Sequence, residues 1–250
     1  MPSQKDEAIT SVFRKYLQFG GMPFLLNIAD KPEACNLYLN DIYNSVILKD
    51  VVKRNNIRDV DQLESVITYV LANIGHSFSA TSLSKYFKSE HRTVSHDTIL
   101  NYTKACADAF LLYKINREYL RDKKILTINE KYYVADHGLR RAVYGQANDI
   151  EQVLENVVCL ELLRRGYKVT VGRNGDKEID FVACKNGDKL YIQVCYLLAD
   201  DRTVEREFGA YKGVPDNYPK YVVSLDELSR SRDGIKHLNI PEFLLKNDWN

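Results

Sequence analysis

Apolar residues recur at helical spacing through the first part of the chain. Leu37, Tyr38, Ile42, Val46, Ile47 and Val51 form one stripe, with Lys49, Asp50, Lys53 and Arg54 on the polar side, so residues 8–58 are expected to be a helical segment. Gly20, Gly21, Met22 and Pro23 punctuate it as a turn. A second stripe, Leu63, Val66, Ile67, Val70 and Leu71, predicts a helix from Asp61 to Ile74 that Gly75 stops. Ser79 opens a short helix to Phe87. Ser95 caps a third, running to about Leu112, with Ile99, Tyr102, Cys106, Ala109 and Phe110 inward. Residues 111–117 and 123–127 read as strands around a charged turn, with one more at 131–135. Three short helices and a β-ribbon make residues 59–144 a winged helix-turn-helix pattern.

The pattern restarts near Gly145. Val153, Leu154, Val157, Val158, Leu160 and Leu162 give the helix within 146–166 a nearly all-round apolar surface, which argues for burial. A strand at 167–172, a hairpin from Glu178 to Cys195, a charged helix from Thr203 to about Lys212 and a strand at Lys220–Ser224 follow. The C-terminus alternates loop and helix through Leu245. Helix, three strands, helix, strand predicts an α/β domain with a mixed sheet over 145–250. The fold class expected is therefore α+β and α/β: a helical segment and winged helix, then a mixed-sheet α/β domain.

Composition narrows the function classes. The chain has 250 residues and a formal net charge of +1, so no bulk positive field recruits nucleic acid or an anionic membrane; any basic footprint is local. Five cysteines, none in C-x-x-C spacing, argue against a complete disulfide framework and point to a reducing cytoplasm. The five histidines form no H-x-x-x-H or H-E-x-x-H pattern, which argues against a histidine-built zinc site. No apolar run approaches the ~20 residues of a membrane span, so no membrane partner is expected. No G-x-x-x-x-G-K-[ST] loop is present, so this chain alone is not expected to hydrolyse ATP. Tyrosine is frequent at 17 residues, which suits packing first, and base stacking or self-association second.

The candidate chemistry lies on the hairpin. Phosphodiester cleavage needs carboxylates for a divalent ion and a cation near the attacking water. The layout is similar to that of the restriction-endonuclease-like superfamily, which places a Glu on the first helix, an Asp on one strand and Glu/Gln-x-Lys on the next. Glu155, Asp180 and Gln193 match those positions, but Cys195 stands where the lysine is wanted. Glu151 and Glu161 compete as helix acids, and alternation puts Glu178 on the face of Asp180. Glu155 and Asp180 would hold Mg²⁺ or Mn²⁺ only weakly, and losing the cation removes a stabiliser of developing negative charge. Lys177, Arg206 and Lys212 are candidate replacements. The expectation is a degenerate, non-catalytic site. A residual nuclease is the alternative, and Cys195 is not expected to be a nucleophile because strand burial would raise its pKa.

For nucleic acid, the outward stripe of the third helix is Asp97, Asn101, Lys104 and Asp108, half of it acidic. Its neighbours are better suited: Lys85, Lys88, His91 and Arg92 in the preceding turn, and Arg117, Arg121, Lys123 and Lys124 on the ribbon. Lys88, Arg92, Arg117, Arg121, Lys123 and Lys124 are the candidate phosphate contacts. A solvated charged face or a protein contact is the competing reading.

Taken together, the stretches Tyr43–Asn55, Lys131–Arg140, Leu154–Val158, Leu162–Tyr167, Glu178–Val182, Tyr191–Val194, Arg206–Phe208 and Asp216–Tyr221 resemble a family of predicted bacterial and archaeal AAA-type ATPases. The resemblance covers roughly residues 10–245 and lies with the C-terminal portion of those proteins. It implies a winged helix and a restriction-endonuclease-like domain of unknown function. It also implies ATP bound by an N-terminal ATPase domain that this chain lacks. The family tends to carry Gln-Val and a small residue at the hairpin, so Cys195 fits it. Lys53 or Arg54 would follow the ATPase core, as a helix-surface charge or a lid-side nucleotide contact. The function implied is a non-catalytic module that recognises DNA or a protein partner and couples that to the ATPase.

Overall fold

The computed structural model describes residues 4–120, 124–145, 149–214 and 216–249. It is a mixed α/β protein, and the seven strands among the described residues form one mixed sheet. Two compact units emerge: Met1–Phe13, Ile115–Glu130 and Asp149–Asn250 in one, Arg14–Lys114 and Lys131–Asn148 in the other. No helix among the described residues is long and apolar enough to cross a membrane.

The helical unit holds the end of α1 (Gln4–Phe19) from Arg14 onward, a 3-10 turn (Pro23–Asn27), α2 (Pro32–Ser45), a wider π-helical stretch (Val46–Lys53), α3 (Val60–Ala72), α4 (Ala80–Ser89), α5 (His96–Asp108) and α6 (His137–Tyr144). The stretches expected as a separate helical segment and as residues 59–144 share one core here. Leu39, Ile47, Val51, Leu63, Ile67, Leu71, Leu83 and Ile99 all contribute to it. The helix starts obey local capping chemistry. Asp59, Ser79 and Ser95 accept the Gln62, Ser82 and Thr98 N–H groups at 2.9, 3.2 and 3.0 Å. Lys49, Lys53 and Arg54 lie exposed, with Arg54 3.8 Å from Asp50.

A carboxylate locks this unit. Asp136, the N-cap of α6, accepts Gly138 N–H and Gly21 N–H at 2.7 Å each. Gly20 has φ +88°, and a β-carbon there would lie 1.8 Å from Asp136 Oδ1; one at Gly138 would lie 2.1 Å from the Phe19 carbonyl oxygen. Only glycine fits these two places. His137 donates from Nε2 to the Tyr16 carbonyl at 2.6 Å.

The sheet unit is ordered β2-β1-β3-β4-β5-β6-β7. Its strands are β1 (Leu112–Tyr119), β2 (Lys124–Val134), β3 (Lys168–Asn174), β4 (Lys177–Lys185), β5 (Asp188–Val194), β6 (Lys220–Ser224) and β7 (Lys236–Asn239), the first two shared with the helical unit. β3, β4 and β5 are antiparallel neighbours, whereas β1 with β3, β5 with β6 and β6 with β7 run parallel. The two strands expected at 123–127 and 131–135 are one strand, β2, and β7 lies where only loop and helix were expected.

α7 (Ile150–Arg164), α8 (Asp201–Gly209) and α9 (Ile240–Leu245) complete this unit. α7 is buried around most of its circumference, as its apolar surface demanded. Its buried Glu161 is matched rather than stranded: Arg164 and Arg165 donate to both carboxylate oxygens at 2.6–2.8 Å. Burial pulls that carboxyl's pKa upward, but the two guanidinium partners outweigh it and hold it low.

Candidate functional site: the β4–β5 pair and α8

Regular pleating does not continue through β4. Thr170 faces Val182 and Gly172 faces Ile179, so two residues on β3 span three on β4. The extra residue is a bulge at Asp180–Phe181. A bulge turns side chains out of alternation, and Ile179 and Val182 accordingly lie in the same apolar cluster. The expected shared use of Glu178 and Asp180 is therefore lost. Glu178 reaches toward β1 and meets Arg117 at 2.8 Å, while the Asp180 carboxylate turns toward β5.

The bulge leaves backbone groups without ladder partners, and side chains take them. The β4–β5 register ends at Phe181 opposite Ile192. Beyond it Asp180 Oδ2 accepts Val194 N–H at 2.8 Å, and Gln193 Oε1 accepts Asp180 N–H at 3.3 Å. Two members of the nuclease-like signature thus replace missing strand hydrogen bonds, which buried backbone donors require.

Cys195 follows directly, its N–H bonded to Val223 O at 3.0 Å and its side chain 2% exposed. Burial pushes its thiol well above the ordinary range, helped by the negative charge of Glu207, Asp226, Asp180 and Glu151. Both effects favour the neutral thiol over the thiolate. The charge of Glu151, on α7, reaches Cys195 and Arg206. Glu155 lies one turn further along and is half-buried.

Two residues that sequence reasoning missed complete the cluster. Glu207, on α8, is 3% exposed; Arg206 Nε donates to its Oε1 at 2.6 Å, but its Oε2 has no hydrogen-bond partner among the described residues. Tyr211 donates its hydroxyl to the Tyr221 carbonyl, and burial with the charge of Asp180 and Glu207 holds that hydroxyl protonated. The signal for Glu207 was present in principle: an acid in phase with the buried Val204 and Phe208 of an otherwise charged helix. Of the three candidate replacements for lysine, Arg206 stands with these acids. Lys177 instead donates to the Gly209 carbonyl at 2.6 Å, and Lys212 is exposed, its carbonyl held by Asn174. Among the described residues, no three His, Cys, Asp or Glu side chains are grouped to hold a metal.

The expected basic edge is only partly placed. Lys88 and Arg92 are exposed, with Arg92 donating to Ser65 Oγ at 2.9 Å. Arg117 is a correction: 7% exposed and ion-paired with Glu178, it is a sheet residue and not a solvent-facing phosphate contact. Arg121 and Lys123 lie outside the described residues, as does the side chain of Lys124. On the outward face of α5, Lys104 is ion-paired with Asp108.

These features define a mixed α/β protein with a braced, bulged strand pair beside a buried acidic cluster. The chain belongs to the family described as Domain of unknown function (DUF8612), whose model matches residues 10–150. An uncharacterized protein of Haemophilus influenzae is 33% identical over 97% of this chain and 60% of its own length. An uncharacterized protein of Methanocaldococcus jannaschii is 28% identical over 91% of this chain and 51% of its own length. The chain therefore spans between half and two thirds of these relatives. A crystal structure of a Vibrio cholerae protein aligns over 82% of this chain and 53% of its own at 12% identity, with a TM-score of 0.26, too low to carry an argument.

Proposed function

We propose that this chain is a recognition module whose nuclease-like strand pair has become architectural, working as part of a longer ATP-binding protein. In this reading the helical unit is a winged-helix platform and the sheet unit a restriction-endonuclease-like domain that no longer cuts. One observation carries it: Asp180 and Gln193 are spent on the backbone of a β-bulge, and the next position on that face is a buried neutral thiol. Hydrolysis wants free carboxylate oxygens and a permanent cation there. The length of the relatives and the resemblance to ATPase C-terminal regions support the larger context.

Incubation of supercoiled plasmid with Mn²⁺ tests this reading. No nicking is expected, and the wild type and Asp180→Ala should be indistinguishable. Cleavage that disappears in Asp180→Ala overturns it.

A second reading, Mg²⁺- or Mn²⁺-dependent nuclease activity, rests on the unmatched Glu207 Oε2. Asp180 and Glu207 would hold the ion, which would supply Lewis-acid polarisation of a phosphodiester. Arg206 would stand in for the lost lysine. Its own test is plasmid cleavage abolished by Glu207→Gln and by Arg206→Ala.

A further inference from the structure

A cleft of about 690 Å³ runs along α3 and α4 of the helical unit, with Asp61, Glu64, Tyr69, Tyr86, Glu90 and Tyr144 in its walls. Helical spacing places Asp61, Glu64, Ser65 and Thr68 along one face of α3. Tyr86 is 53% exposed and Tyr144 38%, and the Tyr69 and Tyr86 rings lie 6.3 Å apart. Tyr144 is pinned by its hydroxyl, which donates to the Thr68 carbonyl. Its ring already has the Arg140 guanidinium at 5.9 Å. The three carboxylates make no ion pair among the described residues. Arg92, the cation of the wall, is held by Ser65.

This chemistry selects its occupant. Unpaired carboxylates give the cleft a negative potential that repels phosphate and attracts ammonium and guanidinium groups. Exposed tyrosine faces add cation–π attraction, and a pinned ring loses little freedom when it is covered. We infer that the α3–α4 cleft binds a positively charged peptide segment, its arginine or lysine side chains against the Tyr69 and Tyr86 rings and opposite Glu64 and Glu90. The inference rests on the recognition reading and names the class of partner: basic protein rather than nucleic acid.

The test is fluorescence anisotropy of the full chain in low salt with a labelled Gly-Arg-Gly-Lys-Gly-Arg-Gly peptide, its glutamate-substituted counterpart and a short DNA duplex. Saturable binding of the basic peptide alone is expected. Tyr86→Ala should weaken it about threefold and Glu64→Lys with Glu90→Lys about tenfold. All these side chains are exposed, so far-UV circular dichroism should match wild type. Equal binding of the acidic peptide, indifference to the cleft variants, binding of the duplex alone, or no binding at all overturns the inference. Metal-dependent plasmid cleavage would remove the non-catalytic reading without touching the peptide result, so the two failures are distinguishable.

Discussion

Asp136 in the helical unit and Asp180 in the sheet unit are equally buried, each 8% exposed, and both carboxylates hold backbone N–H groups. Their surroundings differ. Asp136 takes two N–H groups, and glycines at 20 and 138 leave no room around it. Asp180 takes the Val194 N–H, and Cys195 and Tyr211 sense both its charge and that of Glu207, which has an unmatched oxygen. The first arrangement is closed; joining a turn to a helix accounts for all of it. The second is braced but keeps beside it a carboxylate oxygen with no hydrogen-bond partner among the described residues. A signature motif is thus no guide to how far a carboxylate is committed to structure. The hydrogen bonds made by its neighbours are.

The largest effect should come from filling the closed site. Gly20→Ala would add a β-carbon 1.8 Å from Asp136 Oδ1 at a φ of +88°. A loss of roughly 3 kcal/mol or more is expected in urea denaturation. A loss below about 1 kcal/mol would show that the lock has slack. In the braced site, Asp180→Ala should cost about 1–2 kcal/mol, because it strands the Val194 N–H. Asp180→Asn should cost less, since its amide carbonyl can still accept. Equal losses would mean that charge, and not the missing acceptor, is what matters.

Glu207→Gln should stay within about 1 kcal/mol of wild type, because an amide oxygen can still accept from Arg206 Nε and Oε2 has no hydrogen bond to lose among the described residues. A larger loss would mean that Oε2 acquires a partner in solution. The smallest effect is on pH dependence. His137 and His237, one in each unit, have their pKa lowered, burial being the main cause in both. Ser224 and the Arg230 N–H engage the two ring nitrogens of His237. A depressed histidine leaves the unfolded chain to take up the proton first. Stability should therefore hold above the ordinary value of about 6.5 and fall as pH drops through that range. Urea midpoints measured from pH 7.5 to 5.5 should decline, and a rise would reverse the sign.

Much of the local structure was legible. The caps at Ser79 and Ser95, the glycine turn before Pro23, the buried character of α7 and the strand at Lys220–Ser224 all stood in the amino-acid pattern. The site was only half legible. Asp180 and Gln193 do meet across β4 and β5, but Cys195 falls just past the end of β5, strict alternation misjudged Glu178, and Arg117 was assigned to solvent. Glu207 went unnoticed although its phase with Val204 and Phe208 marked it for burial; that it and Tyr211 lie near Cys195 depends on groups distant in sequence.

By itself the sequence determined where helices begin, which faces are apolar and which turns need glycine. Those features depend on hydrogen bonds and sterics within a few residues. Tertiary structure alone decided that Asp180 braces a bulge, that Arg117 turns to Glu178 and that Glu207 keeps an oxygen without a hydrogen-bond partner among the described residues. Each of these depends on groups brought together from separate strands and helices, or on the absence of such a group, and no local pattern encodes that.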